Sequence, residues 1–382
     1  MSSTYCSGNM GCSRTFLLGV VALVLCLISF GGRQKRVPSW PPQVASLRKA
    51  EFHDGTTTTS APAPLSDSCD VHWPTFAPDR PLNTTYIIHP DDSPNTTQRQ
   101  QAMLEYIQQS PPTGLFVYPP NRFAFCTMPK NGCTQWVEVL GKILRDDPTY
   151  DYRDYHLPRK SQDKFHLRQN PRAIQQIFQS PNSTRAVFIR EPMARFLSAF
   201  LDKCFGKHCD NKLCYARSFH NIPPGTPITF RQALDWILHP GTLVDGTMNA
   251  HYQPQTFMCG LSHPDALHSM YNIVAYLDKK TVSKDAACIM ERAGLTRYNT
   301  RGGGPEEDPF WVSLTEIPIF NYRPANQEEE NLKRFFTPEL ARQFMEKYRV
   351  DYETLHIPEP AWVQHATGEW LDSLDLPMKQ CP

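Results

Sequence analysis

Two stretches of this 382-residue chain repeat one pattern, and it constrains the fold more than any other feature. "RFAFCTM" (122–128) is a short apolar run, followed by the turn "PKNGC" and by "TQWVEVLGKIL" (134–144). "TRAVFIR" (184–190) is a second such run, followed by Glu191 and "PMARFLSAFLDK" (192–203). Each run reads as a buried strand, and each segment after it carries apolar residues at helical spacing. Two buried strands that each feed a helix predict an α/β domain with a P-loop-like central parallel sheet flanked by helices. Ligands in such a fold bind beyond the carboxyl ends of the strands. "YNIVAYLDK" (271–279) supplies a third strand. Helices are expected at 99–109, 230–238, 283–295, 326–336 and 337–355, and "RGGGPEEDP" (301–309) as a mobile loop. The last helix opens with Thr337 as cap and Pro338 at its first position.

The turn after the first strand has the makings of an anion site. Trp136, Val137, Val139, Leu140, Ile143 and Leu144 share the apolar face of the helix, with Glu138 and Lys142 opposite. Packed on that face, the helix aims its free N–H groups and positive end at the turn. Gly132 allows close backbone approach, Lys130 adds a charge and Thr134 a hydroxyl. Because the lysine precedes the glycine, this is not the G-x₄-G-K-[ST] loop of a P-loop kinase. The second unit offers another site: Arg190 at a strand's end presents a fork of donors. Ser198 lies off the apolar face made by Met193, Phe196, Leu197, Phe200 and Leu201. Glu191 and Arg195, four apart in the favourable order, are expected to pair. From 184 to 217 there are seven Lys/Arg against three Asp/Glu, although the whole chain carries 39 against 38 and a net charge of +1. That balance gives no global field for nucleic acid or an anionic membrane surface, so anion binding must be local.

The amino-terminal third speaks to location. Residues 15–32 carry no charge, and "FLLGVVALVLCLISF" is long enough for a short membrane span. The expected organisation is a cytoplasmic tail at 1–14, a signal-anchor helix at 15–32, a Pro/Thr/Ser-rich stem at 33–95 and a luminal domain at 96–382. Arg33, Lys35 and Arg36 favour the opposite orientation. The sequons at Asn83, Asn95 and Asn182 favour the luminal one, since each is an acceptor only there. A cleaved signal peptide is the alternative to an anchor, and cutting after Arg36 would release a secreted form. Twelve cysteines, with Cys204, Cys209 and Cys214 closely spaced, read as disulfides in an oxidising compartment, with zinc as the competing reading. Cys126 either bridges to Cys133 across the turn or is simply buried.

Together the two units resemble the double signature of the Golgi membrane-bound carbohydrate sulfotransferases, the group of chondroitin, dermatan and heparan sulfotransferases. The signature is PK-x-G-x-T/S after one strand and R-E/D-P-x₂-R-x₂-S on the next strand and helix. The resemblance covers about 110–355 in patches. "NAHYQPQTFMC" (249–259) is similar to a family H-W-x-P-Q segment with Tyr252 for Trp, and 271–279 and 337–355 are similar to the family's later strand and closing helix. The resemblance implies 3′-phosphoadenosine 5′-phosphosulfate as donor, no metal, and a glycan hydroxyl as acceptor. It implies that Lys130, Asn131, Gly132, Cys133 and Thr134 hold the 5′-phosphosulfate, and that Arg190 and Ser198 hold the 3′-phosphate. Lys130 then doubles as the catalytic charge at the leaving phosphate. A hydroxyl nucleophile calls for a general base. In related sulfotransferases it often lies shortly before the 3′-phosphate arginine, which makes His166 the first choice, with His156 and His251 as alternatives. Another luminal nucleotide-dependent transferase or kinase, or a non-catalytic glycan-binding protein with the same fold, are the competing readings.

Overall fold

The computed structural model describes residues 81–87, 98, 101–106, 114–148, 171–180, 182–205, 212–263, 266–278, 281–299, 325–374 and 376. The 15–32 run, Asn95, His156, His166, Cys209 and the 301–309 loop lie outside the described residues. No helix among the described residues is long and apolar enough to cross a membrane.

A five-stranded sheet organises the domain in the order β1-β5-β4-β3-β2. The strands are β1 (Tyr86–Ile87), β2 (Leu115–Tyr118), β3 (Phe123–Cys126), β4 (Thr184–Ile189) and β5 (Ile273–Tyr276). The sheet is mixed, which corrects the expectation of a parallel one. β3, β4 and β5 run parallel, with Phe125 opposite Ala186 and Val187 opposite Val274, while β2 and β1 pair antiparallel on the two edges. The reason is local. β2 reaches β3 through a turn of only a few residues, and so short a connection joins only antiparallel neighbours.

Alternation along the strands divides the core in two. Phe123, Phe125, Ala186, Phe188, Ile273 and Ala275 face one side, under α1 (Cys133–Arg145) and α4 (Val282–Arg292). Ala124, Cys126, Val187, Ile189 and Val274 face the other side with Ile174 and Ile177. Trp136 of α1 is fully buried and stacks on Phe125 with centroids 3.7 Å apart, which fixes the helix against β3. Glu138 and Lys142, expected on the solvent side, are buried as well. Their charges lie 3.7 Å apart on one face, and that mutual pairing makes their burial tolerable. A third cluster joins α2 (Pro192–Phe200), α3 (Phe230–Leu238), α5 (Ala325–Phe335) and α6 (Pro338–Lys347) through Phe196, Phe230, Phe335 and Phe344.

Among the described residues two disulfides tie this scaffold. Cys126, at the end of β3, bonds Cys259 rather than Cys133, whose thiol is free. Cys126 therefore does face inward as a strand residue should, but toward a segment 133 positions later in the chain. Cys204 bonds Cys214, as the disulfide reading anticipated for that cluster.

Candidate functional site

Adjacent parallel strands bring the two sequence motifs together, because β3 ends at the lysine turn and β4 ends at Arg190. The turn is built on two left-handed residues, Lys130 (φ 73°) and Gly132 (φ 74°). Glycine takes that conformation freely, whereas lysine does so at a cost, of the kind backbones keep at functional positions. Gly132 is the N-cap of α1 and offers no side chain to the first-turn N–H groups. That end of the helix is therefore open to an anion. Thr134 lies in the first turn.

The second unit is arranged differently. Glu191 is not paired with Arg195. Its buried carboxylate caps α2, accepting from the N–H of Met193 (3.0 Å) and of Ala194 (2.6 Å), and it also accepts the Tyr352 hydroxyl. Arg195 instead donates to three carbonyls, Pro129 (3.0 Å), Gln253 (2.6 Å) and Ala250 (2.5 Å), and so braces the lysine turn from beneath. The reason is geometric: a carboxylate at an N-cap is consumed by the helix start it caps. Burial pushes the Glu191 carboxyl up, against those hydrogen bonds, and pushes the Arg195 guanidinium down. With this helix end closed, only side chains remain to hold an anion. Ser198 is the one residue of α2 that is not buried, and its hydroxyl makes no hydrogen bond among the described residues.

Arg190 links the two units directly, donating from Nη1 to the Lys130 carbonyl at 2.7 Å, while Nη2 pairs with Glu328 of α5. A cleft of about 480 Å³ opens beside it, lined by Arg190, Ala194, Tyr276, Glu328 and Trp362 among others, with Asn83 at its rim. Asn131 shares the turn with Lys130, but its side chain points inward, 2% exposed, and donates to the Phe188 carbonyl (2.8 Å) and to Gln255 Oε1 (2.6 Å). It fastens the loop from inside.

Lys130 faces a second group of charges. After α2 the chain makes a π turn, Leu201–Phe205, which carries Asp202 and Lys203 to the turn and is held by the Cys204 disulfide. Asp202 pairs with Lys130, and with Lys203 at 2.8 Å. Burial pulls the Lys130 ammonium down, and Asp202 opposes it. Burial alone would raise Asp202, but the two lysines outweigh it and hold the carboxyl at about 2. His251 stands within the field of the same group. Burial first, then the charges of Lys203 and Lys130, lower its imidazole to about 3. Its Nδ1 lies 2.8 Å from Asn249 Oδ1, which also accepts the His251 backbone N–H (3.1 Å). An amide oxygen can only accept, so Nδ1 carries the proton and Nε2 keeps its lone pair. Sequence reasoning did not anticipate Asp202, Lys203 or Gln255; the π turn and the "HYQPQTF" segment have no periodicity that would announce them.

The sequence has counterparts among known proteins. A profile of the sulfotransferase family matches residues 113–356, from β2 past the last described α-helix. The chain belongs to the sulfotransferase family. The carbohydrate sulfotransferase 14 of Homo sapiens is 24% identical over 253 residues, covering 63% of this chain and 58% of the relative. The carbohydrate sulfotransferase 9 of Homo sapiens is 23% identical over 268 residues (64% and 53%), and the carbohydrate sulfotransferase 11 of Danio rerio is 23% identical over 197 (47% and 53%). The chain thus spans little more than half the length of these curated relatives. No solved structure matches it. Both strand-turn-helix units and the His251–Gln255 segment fall inside the sulfotransferase match.

Proposed function

We propose that this sulfotransferase moves a sulfuryl group from 3′-phosphoadenosine 5′-phosphosulfate to a hydroxyl of a glycan. The observation that carries the reading is the direct bond from Arg190 to the Lys130 carbonyl, which joins the two candidate anion sites. A donor with phosphates at both ends of a nucleoside needs two such sites, while a nucleoside triphosphate needs one continuous cradle. The residues fit it. Lys130 and the open N-terminal end of α1, with Gly132, Cys133 and Thr134, would hold the 5′-phosphosulfate. Arg190, with the phosphate taking the place of Glu328 at Nη2, and the Ser198 hydroxyl would hold the 3′-phosphate, and the cleft by Tyr276 and Trp362 would take the nucleoside. Asn131 positions the loop through its side chain.

When bound, the donor supplies a sulfuryl group on a good leaving phosphate. The acceptor oxygen forms its bond to sulfur as the bond from sulfur to the phosphate oxygen breaks, leaving adenosine 3′,5′-bisphosphate. Lys130 stabilises the negative charge that gathers on the leaving oxygen, from a position fixed before reaction and without any call on a metal. His251 Nε2 takes the acceptor's proton. Its tautomer is set by Asn249 and it stands in the field of Lys203, Lys130 and Asp202, and these two observations support it as the base beside the other candidates, His166 and His156.

The setting proposed is a Golgi membrane, with a type II anchor at 15–32, a stem at 33–95, a luminal domain at 96–382 and a soluble form cut after Arg36. The two disulfides and the exposed sequon residues Asn83 and Asn182 support an oxidising, glycosylating compartment. The test is transfer of labelled sulfate from the donor to a panel of glycosaminoglycans, galactans and N-glycans. Labelling of one class is expected. No transfer to any, together with no thermal stabilisation by millimolar adenosine 3′,5′-bisphosphate, would overturn the reading.

A further inference from the structure

Gln255 sits on neither anion loop, yet it touches both. It is fully buried in a short 3₁₀ turn, Gln255–Phe257. Its Oε1 accepts from Asn131 Nδ2 (2.6 Å) and from the Arg190 backbone N–H (3.0 Å), and its Nε2 donates to the Arg190 carbonyl (2.7 Å). The amide side chain therefore reads the Arg190 backbone as a neighbouring strand would, in both directions, just past the last residue of β4. In the same contact it grips the lysine turn.

The turn that carries Gln255 is itself fixed at both ends. Asp351, fully buried, accepts from the backbone N–H of Gln255 (2.9 Å) and of Thr256 (2.8 Å) and from the Thr256 hydroxyl (2.7 Å). Four residues on, Cys259 is bonded to Cys126 at the end of β3. A strand end, a disulfide and a buried carboxylate thus converge on one amide. Asn131 Oδ1 is buried with no hydrogen-bond partner among the described residues. An unpaired buried acceptor is destabilising, so this junction holds position at some expense of stability.

We infer that Gln255 is a positioning residue that sets the distance between the two anion sites, so that one ligand with phosphates at both ends engages them together. This rests on the donor reading above. A ligand that spans two rigidly spaced sites gains over one that fills either site alone, because the second contact is made without a second loss of freedom. If Gln255 is loosened, each site survives and the joint gain falls.

The test compares adenosine 5′-monophosphate, adenosine 3′-monophosphate and adenosine 3′,5′-bisphosphate on the whole chain, before and after Gln255→Glu and Gln255→Leu. Gln255→Glu keeps the shape and the Oε1 acceptor but loses the donation to the Arg190 carbonyl and adds a carboxylate charge, which Gln255→Leu does not. Gln255→Leu removes all three bonds. The advantage of the bisphosphate over either monophosphate should fall about tenfold in the first and further in the second. Monophosphate affinities should change less than about threefold. Proportional weakening of all three ligands would mean a merely structural role and would overturn the proposal, as would an unchanged advantage. Amide hydrogen exchange on the wild type gives a reading that does not depend on variant folding: the Arg190 amide should be protected with the core of β4, and rapid exchange there would also overturn it. A wild type that binds the bisphosphate no better than the monophosphates would instead fail the donor reading itself.

Discussion

The two strand-turn-helix units begin from the same plan and finish their helices in opposite ways. At α1 the N-cap is Gly132, a left-handed residue without a side chain, and the first-turn N–H groups are left to whatever anion arrives. At α2 the N-cap is Glu191, whose carboxylate takes two of those N–H groups and a tyrosine hydroxyl besides. One helix end is left open; the other is a structural joint. On the proposed reading the second unit would therefore bind with side chains, Arg190 before the cap and Ser198 two turns after it. A phosphate-binding helix end cannot be inferred from a strand followed by a helix; the residue at the cap decides.

Breaking the first unit should have the largest effect. Lys130→Ala is expected to lower transfer about 10³-fold or more in single-turnover assays while the melting temperature stays near that of the wild type, because the lysine is held by charge rather than by core packing. Turnover within a few-fold of wild type would move the catalytic charge elsewhere, Lys203 being the neighbouring candidate.

The base gives the next effect. His251→Ala should cost about 10²-fold in kcat, the usual contribution of a positioned base. Because His251 is held near 3 against an ordinary value of 6.5, the wild-type rate should show no acid limb near 6.5 from this residue. The sign for stability follows from the same shift. As pH falls from about 6.5 toward 3 the unfolded chain takes up a proton at this position and the folded one does not, so stability is lost on acidification, and His251→Ala should flatten that slope. A rate inflection near 6.5 that disappears in His166→Ala but survives in His251→Ala would transfer the role to His166.

The smallest effect should fall on the closed helix end, and on stability. Glu191→Ala is expected to cost about 1–2 kcal/mol in urea unfolding through loss of the cap. Gly132→Ala, which forces a Cβ into the left-handed region, should cost about 1 kcal/mol and also weaken donor binding. Equal binding losses in both variants would erase the distinction between the two ends.

Much of this is legible in the amino-acid sequence. The parallel strands 123–126, 184–189 and 273–276 announce themselves as apolar runs, and Lys130 and Arg190 follow the first two of them. The antiparallel edges are not legible. β1 has two residues, and β2, "LFVY", has no alternation to mark it as an edge. Nor are the long-range ties: Cys126 to Cys259 spans 133 positions, and Gln255 depends on Asp351 nearly a hundred residues later. Such contacts are set by tertiary packing, of which local pattern carries no trace. The expected polar face of α1 fails for the same reason, since Glu138 and Lys142 are covered by the packing of the folded domain.

The most direct test of the central claim, that the two units hold the two ends of one nucleotide, is the affinity ratio of adenosine 3′,5′-bisphosphate to adenosine 5′-monophosphate by calorimetry. The ratio should be about 10² or more in the wild type, as a charge-assisted contact to the 3′-phosphate implies, and should fall toward one in Arg190→Ala. Equal affinities in the wild type, or a ratio that Arg190→Ala leaves untouched, would contradict the account.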